Sequence, residues 1–431
     1  MKILLLGSGG REHALAKKLS ESYHCDALFI APGNTGTQQY GSNVSLSLND
    51  FNSIRNFCVE QTIGLLVVGP EEPLVNGIYD FMQETNKEGI KYWDGILVGP
   101  SKNAAQLEGS KAFSKLFMQR HNIPTAAYAS FTATNFEAGK AYIQQHSLPI
   151  VLKADGLAAG KGVVICEDHA TALSVYENMI QHAQFGEASK KVVIEEFLTG
   201  IELSVFVLTN GTDYQIIGHA KDYKRIGEGD TGLNTGGMGC ISPVPFANDA
   251  FMQEVETTII QPTIKGLQEE QLEYNGFIFF GLMKVGNKPY VIEYNCRMGD
   301  PETEVVIPRL QTDLVALFAA MHNGTLADVN INVDERAAAT IVAVSGGYPE
   351  AYEKNKPIHG LDTMPKRADV MVFHAGTCLD NNQIVTSGGR VLAVTALAPL
   401  LQEAVRLSKQ TLSAISFDGM YYRNDIGYEF L

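Results

Sequence analysis

Over its first hundred residues the chain alternates short apolar runs with helical stretches, and this alternation constrains the fold more than any other feature. Ile3–Leu6, Ala27–Ile30, Leu65–Val68 and Ile96–Val98 each close at a Gly or Pro turn. Strand-length apolar runs separated by helix-length stretches predict a parallel sheet of βαβ units, in which both faces of each strand are buried. At 431 residues and 45% hydrophobic composition, the chain exceeds what one core usually serves. Three domains are expected: an α/β parallel-sheet domain over residues 1–104, a central α/β region over 105–330 with a lid at about 125–194, and a small α+β domain over 331–431.

The formal net charge of −15 argues against a nucleic-acid partner, since phosphate backbones are bound by surplus Lys and Arg. Any anionic ligand must meet a local basic pocket. The six cysteines stand far apart, without the paired spacing of zinc or redox centres. The apolar run after Met1-Lys2 is shorter than the roughly 7–15 residues of a signal peptide, and no stretch approaches the roughly 18 of a membrane span. These readings lead to the expectation of a soluble cytoplasmic protein with small-molecule partners, no membrane, and a monomeric state.

Several segments carry chemistry. Gly7-Ser8-Gly9-Gly10-Arg11-Glu12-His13 follows the first strand and opens a helix, so its amides are either an anion site or a plain tight turn. It is no dinucleotide fingerprint, because Glu12 replaces the third glycine and no acid ends the second strand. Gly156–Gly162 fails as a P-loop, lacking the spacing and the Ser or Thr for magnesium. Between strands Ile150–Ala154 and Gly162–Cys166 it reads instead as a glycine flap over a polyphosphate, with Lys153 and Lys161 adding charge. Val192–Leu198 runs from a strand into a connector, with Glu202 beyond. Beside the flap, backbone groups at Glu196–Leu198 could pair an adenine and Glu202 a ribose; a solvated acidic loop would look the same. Asp222–Gly239 is too long for an idle connection and is read as a substrate loop.

Glu293 and Asn295 end a strand with alternate side chains on one face, converging hard oxygens suited to Mg²⁺. Arg297 continues that face as a fork for phosphate oxygens. For Asp300-Pro301-Glu302-Thr303-Glu304, helix-start rules supply an N-cap, a Pro at the first helical position and first-turn acids. Glu302 and Glu304 are read as structural, while Asp300 could also face the site.

Together, Gly9–His13, Ala31-Pro32-Gly33-Asn34, Val68-Gly69-Pro70-Glu71, Leu107–Lys111, Lys153–Gly162, Asn234–Gly239 and Asn295–Glu302 resemble the phosphoribosylamine–glycine ligase family, from the first strand to Asp425-Ile426-Gly427. The resemblance implies an ATP-grasp fold with a Rossmann-like N-terminal domain, a lid subdomain and a C-terminal α+β domain. It further implies ATP-dependent ligation of glycine to 5-phosphoribosylamine through an acyl phosphate, with Mg²⁺ or Mn²⁺ on Glu293 and Asn295. ATP would be held by Lys111, Lys153, Gly160, Lys161, Glu195, Glu196, Phe197, Leu198 and Glu202. The substrate side would comprise Gly9, Gly10, Arg11, Asn34, Asp222, Lys224, Arg225, Thr235, Gly236 and Gly237, with Arg297, Lys153 and Asp300 at the reacting groups. Tyr223 stands where His is expected, Leu233 where Pro is usual and Met298 where Phe is usual. Phe279–Leu282 lacks the extra metal carboxylate of many ATP-grasp enzymes. Another purine-pathway ATP-grasp enzyme, a nucleotide-binding regulator and an NAD-dependent oxidoreductase are the rival readings; the intact Glu293, Asn295 and Arg297 disfavour the regulator, and the broken fingerprint the oxidoreductase.

Overall fold

The computed structural model describes residues 1–157, 162–364 and 367–431. Strand Lys2–Gly7 lies between Ala27–Pro32 and Ile63–Val68, with Ile96–Pro100 beyond, and all these pairings are parallel. Leu4 and Leu6 face one core while Ile3 and Leu5 face another. That is why this strand reads as a continuous apolar run and not as an alternation.

The sheet does not stop there. Tyr274 and Asn275 pair with Pro100 and Gly99, so the long strand Tyr274–Val285 carries the hydrogen-bonded ladder onward. It passes through Ile201–Thr209, Tyr214–Asp222, Gly239–Ser242, Ala337–Val344, Arg390–Ala398 and Val370–His374, and Lys288–Asn295 pairs on the side to complete 13 strands. The expected hairpin of Tyr274–Val285 with Lys288–Asn295 is antiparallel, with Gly281 opposite Glu293.

A separate four-stranded sheet holds Tyr128–Thr132, Lys191–Glu196, Ile150–Ala154 and Val163–Cys166 in that spatial order. Ile150, Leu152, Val192 and Ile194 pack beneath helices Phe136–Gln145 and His169–Ile180, where Phe136 and Tyr176 stack at 5.0 Å. Strand alternation sends Lys153 to the opposite face from Leu152, away from this small core.

Two local expectations are corrected. The Asp222–Gly239 segment contains a hairpin, Arg225–Gly227 with Thr231–Asn234, whose exposed residues lack the apolar alternation that signals a strand. Its tip is tied down by the fully buried Arg423, which bonds Asp230 at 2.6 Å and Asp425 at 2.7 Å. The helix after Asp300 begins only at Thr303, with Pro301 outside it and no side-chain cap at Glu302. Glu302 and Glu304 are buried, drawn in by tertiary partners that a local capping rule does not consider.

His13, in helix Gly10–Ser20, meets the C-terminal strand Val370–His374. The His374 amide donates to His13 Nδ1 at 2.7 Å, and both rings are buried. Burial, then the neighbouring His374, pushes His13 down to about 3; burial pushes His374 down to about 4. Both stay neutral in the folded chain while the unfolded chain protonates them near the ordinary value of about 6.5. Their contribution is therefore complete above pH ~6.5 and declines by about 1.4 kcal/mol per pH unit for each ring as the pH falls toward the folded values. Urea unfolding at intervals between pH 6.5 and 5 should show this slope, and His13→Gln should lower it by about one ring's share.

Candidate active site

A cavity of about 420 Å³ opens between the four-stranded sheet and the large sheet. At one end, Lys111 and Lys115 stand one turn apart on helix Lys111–Arg120, which Ser110 caps through its Oγ on the Phe113 amide at 3.1 Å. Lys111 Nζ donates to the Gly156 carbonyl at 3.1 Å. Lys115 and Lys153 both bond Glu195 Oε2 at 3.0 Å, and Glu195 Oε1 is buried without a hydrogen-bond partner among the described residues. Burial raises the Glu195 carboxyl and the two lysines more than reverse that, leaving it below the usual carboxylate range. Burial pushes Lys115 down to about 8 against the pull of Glu195. Lys111 is also lowered by burial, with Glu293 opposing.

At the strand end, Glu293 lines the cavity and takes no hydrogen bond or ion pair from any described residue. Asn295 Oδ1 accepts from Arg297 at 3.2 Å. Arg297 is anchored by Glu108 at 2.6 Å and Glu71 at 3.3 Å, and Glu108 also accepts the Cys296 amide at 2.7 Å. Burial raises Glu108 above the ordinary value; Glu71, also penalised by burial, is held below it by Arg297 and Arg11. Arg11 Nη1 shares the Met298 carbonyl with Arg297.

Beyond these, Arg390 reaches in from the C-terminal strand Arg390–Ala398. It bonds the Gly236 carbonyl at 2.6 Å, the Asp300 carbonyl at 2.7 Å and the Asp300 carboxylate at 3.1 Å. Lys224 pairs with Asp222 at 2.9 Å and with Glu202. Burial would lower this ammonium, but Asp222 and then Glu202 raise it well above its ordinary value.

The cavity therefore gathers Arg11, Lys111, Lys153, Glu195, Asp222, Lys224, Gly236, Glu293, Asn295, Arg297 and Asp300 from the expected set. Glu196, Phe197 and Leu198 flank Glu195 without lining it; the Glu196 carboxylate accepts the Ala127 amide at 2.8 Å, and no described residue hydrogen-bonds the backbone of Phe197 or Leu198. Gly9, Gly10, Glu202, Arg225, Thr235 and Gly237 stand behind the wall. The Gly9 amide donates to Glu12 Oε2 at 2.6 Å, so that amide serves the turn itself. Glu12 fits only because Gly7 and Gly69 leave it space, an added Cβ at either overlapping its side chain. The Asn34 carboxamide is committed to Ser8, His374, Gly36 and Thr37. Arg225 holds the hairpin through the Gly232 carbonyl, and Thr235 the Lys224 carbonyl. Gly160 and Lys161 lie outside the described residues.

Sequence reasoning missed Lys115, Glu108 and Arg390 as functional groups. Lys115 had a signal, its i, i+4 spacing from Lys111; the other two are joined to the site only by long-range pairing. Tyr223 alternates with Asp222 and Lys224 and points the other way, buried against Glu429 at 3.2 Å.

A lid sheet carrying lysines over a larger sheet that ends in hard oxygens is the ATP-grasp arrangement. Biotin carboxylase from Campylobacter jejuni shares the fold at 16% identity, with a TM-score of 0.72 over 99% of this chain and 94% of that one. Residues 1–108, 109–303 and 338–429 match the N, ATP-grasp (A) and C domains of phosphoribosylglycinamide synthetase, and the chain belongs to that family. It is 45% identical to phosphoribosylamine--glycine ligase of Chlorobaculum tepidum over 99% of both chains, and 45% identical to that of Salmonella typhimurium over 99% of this chain and 98% of the relative. The solved phosphoribosylamine--glycine ligase of Thermotoga maritima is 31% identical, with a TM-score of 0.83 over 99% of this chain and all of that one.

Because two lysines hold one carboxylate oxygen of Glu195, removing either should loosen this end of the cavity. Lys115→Met is expected to weaken binding of a non-hydrolysable ATP analogue about tenfold, the size of one charge-assisted contact, as calorimetric titration would report.

Proposed function

We propose that this chain uses ATP to join glycine to 5-phosphoribosylamine, giving glycinamide ribonucleotide, ADP and phosphate in de novo purine biosynthesis. The observation that carries the reading is Arg297, fixed by Glu71 and Glu108 beside the Glu293–Asn295 strand end, within a chain that matches these ligases from end to end. Glycine's carboxylate attacks the γ-phosphorus, and the amine of phosphoribosylamine captures the acyl phosphate. No side-chain nucleophile is required.

In this reading Lys111, Lys153, Lys161 and the flap at Gly160 hold the phosphates, Glu195–Leu198 the adenine and Glu202 the ribose. Arg297, with Lys153, faces the transferring phosphoryl group and Asp300 the substrates. Arg11, Asp222, Lys224, Arg225, Thr235, Gly236 and Gly237 form the second-substrate side, with Gly9, Gly10 and Asn34 shaping it from behind. Fixed charges of this kind act through position, needing no rearrangement as charge moves to the leaving oxygen. Closure of the lid excludes water from the acyl phosphate.

The donor set fits a hard divalent cation. Glu293 is a carboxylate on the cavity wall with no ion pair among the described residues, and Asn295 offers a carboxamide oxygen on the same face. Gly281, opposite Glu293, has no side chain to add another carboxylate, and no cluster of three or more His, Cys, Asp or Glu converges among the described residues. Few protein ligands suit Mg²⁺ or Mn²⁺ completed by water and phosphate oxygens. When bound, the ion supplies neutralising charge to the phosphates.

The protein is assigned to the cytoplasm as a monomer. The free state of all six cysteines fits a reducing compartment, and the net charge of −15 opposes self-association. No helix among the described residues is long and apolar enough to cross a membrane.

The deciding assay is ADP release that depends on both glycine and freshly made phosphoribosylamine. ADP release that ignores glycine, or that answers to bicarbonate or formate, rejects the reading. Glu293→Gln keeps the side-chain shape but removes the anionic donor, so turnover should fall at least 100-fold while ATP still binds measurably; near-normal turnover at ordinary magnesium levels would take Glu293 out of the metal site.

A further inference from the structure

Seven carboxylates line the cavity, and five of them are paired with a cation. Glu71 and Glu108 hold Arg297, Glu195 holds Lys115 and Lys153, Asp222 holds Lys224, and Asp300 holds Arg390. Protonating a carboxylate that is locked to a cation would leave that cation uncompensated. Only Glu293 and Glu302 carry no ion pair among the described residues. Glu293 is accounted for as a hard donor at the phosphate end. Glu302 lies elsewhere on the wall, beside Asp222 and Lys224, and the mechanism above gives it no task.

Its placement is built with care. Glu302 is 3% exposed, and its Oε1 accepts the Ser204 hydroxyl at 3.2 Å. The other oxygen lies against Gly299, where an added Cβ would overlap it, so a glycine is required to admit the carboxyl. Acids at a helix start usually serve the helix dipole in solvent; this one is instead buried in the cavity wall.

The reaction needs a proton acceptor. When the amine lone pair of phosphoribosylamine forms the new C–N bond, the C–O bond to phosphate breaks and phosphate leaves with that electron pair. The nitrogen must then shed one proton to become an amide. We propose that Glu302 is the general base that receives this proton and then returns it to solvent. The assignment rests on the ligase reading given above.

The electrostatics favour the role. Burial, and then Asp222, pushes Glu302 up to about 7, against Lys224 and Arg297. The other charged or titratable groups that sense it are Cys240, Glu304 and Arg390. Burial and Asp300 raise Glu304 well above the ordinary value. A base whose pKa lies near the working pH combines availability with basicity.

Rapid-quench measurement of a single turnover with ATP, glycine and phosphoribosylamine separates the two chemical steps. In Glu302→Gln, ADP should appear at the parent rate while amide formation falls by about 10²–10⁴-fold, the usual range for loss of a general base. ADP at the parent rate also shows that the variant is folded and binds ATP. The acid limb of the parent's pH profile, near 7, should vanish from the residual amide formation of this variant. Ser204→Ala, which removes a hydrogen bond to the ionised form, should move that limb upward and keep the maximum rate within a few-fold. Equal slowing of ADP and amide, amide formation within a few-fold of the parent, or an unchanged acid limb would each overturn the assignment. Absence of glycine-dependent ADP in the parent itself would reject the ligase reading instead.

Discussion

A guanidinium that cannot lose its proton, drawn largely out of water, obliges the chain to bring carboxylates to it. Arg297 is that group. Glu71 comes from the helix between the parallel strands Ile63–Val68 and Ile96–Pro100 and Glu108 from the short helix before the Lys111 helix, while Arg297 itself follows strand Lys288–Asn295. Glu108 also binds the Cys296 amide, so one carboxylate fixes both the charge and the backbone that presents it. Removing one partner of such a buried pair typically costs about 3–5 kcal/mol, because the other charge is left uncompensated. Arg297 is thus also the joint between the first hundred residues and the central sheet.

The rest of the cavity follows the same rule of local neutrality. Lysines at one end share Glu195, and Lys224 shares Asp222 and Glu202. A protein of net charge −15 can present cations to phosphates in this way without an extended basic surface. Lys115 shows how fine the balance is, since burial takes its ammonium down to about 8 even with a carboxylate in contact. The charges are pre-positioned by their partners.

Much of the framework was readable in the sequence because it depends on local rules. The runs Ile3–Leu6 and Leu65–Val68 are apolar throughout since both faces of those strands are buried. Ser110 caps its helix, and Lys153 alternates with Leu152 across the lid strand as period-2 geometry demands. The placement of Glu293 and Asn295 on one face, at the cavity wall, was legible for the same reason. What escaped was set by distance in sequence: Glu71 and Glu108 find Arg297 across 226 and 189 positions, and Arg390 meets Asp300 across 90. Nothing near Glu71 or Arg390 announces those partners. The Asp300–Glu304 segment misled in the opposite direction, because its local pattern satisfies helix-start rules so well that burial of Glu302 and Glu304 was not anticipated.

The way the small sheet is attached has a mechanical consequence. Thirteen strands form one hydrogen-bonded plate, while the four-stranded sheet joins it by two chain crossings, one before Tyr128 and one after Glu196. Those crossings are laced together: the Glu196 amide donates to the Ala127 carbonyl at 3.0 Å and the Ala127 amide to the Glu196 carboxylate at 2.8 Å. Two straps fastened side by side define a single axle. Rotation about it would swing Lys153 through an arc while barely displacing the straps or the adjoining Glu195, so the stroke shrinks to nearly zero at Glu196–Leu198. A nucleotide gripped by its base at the axle and by its phosphates at the rim would feel the closing torque chiefly where bonds are to be exchanged.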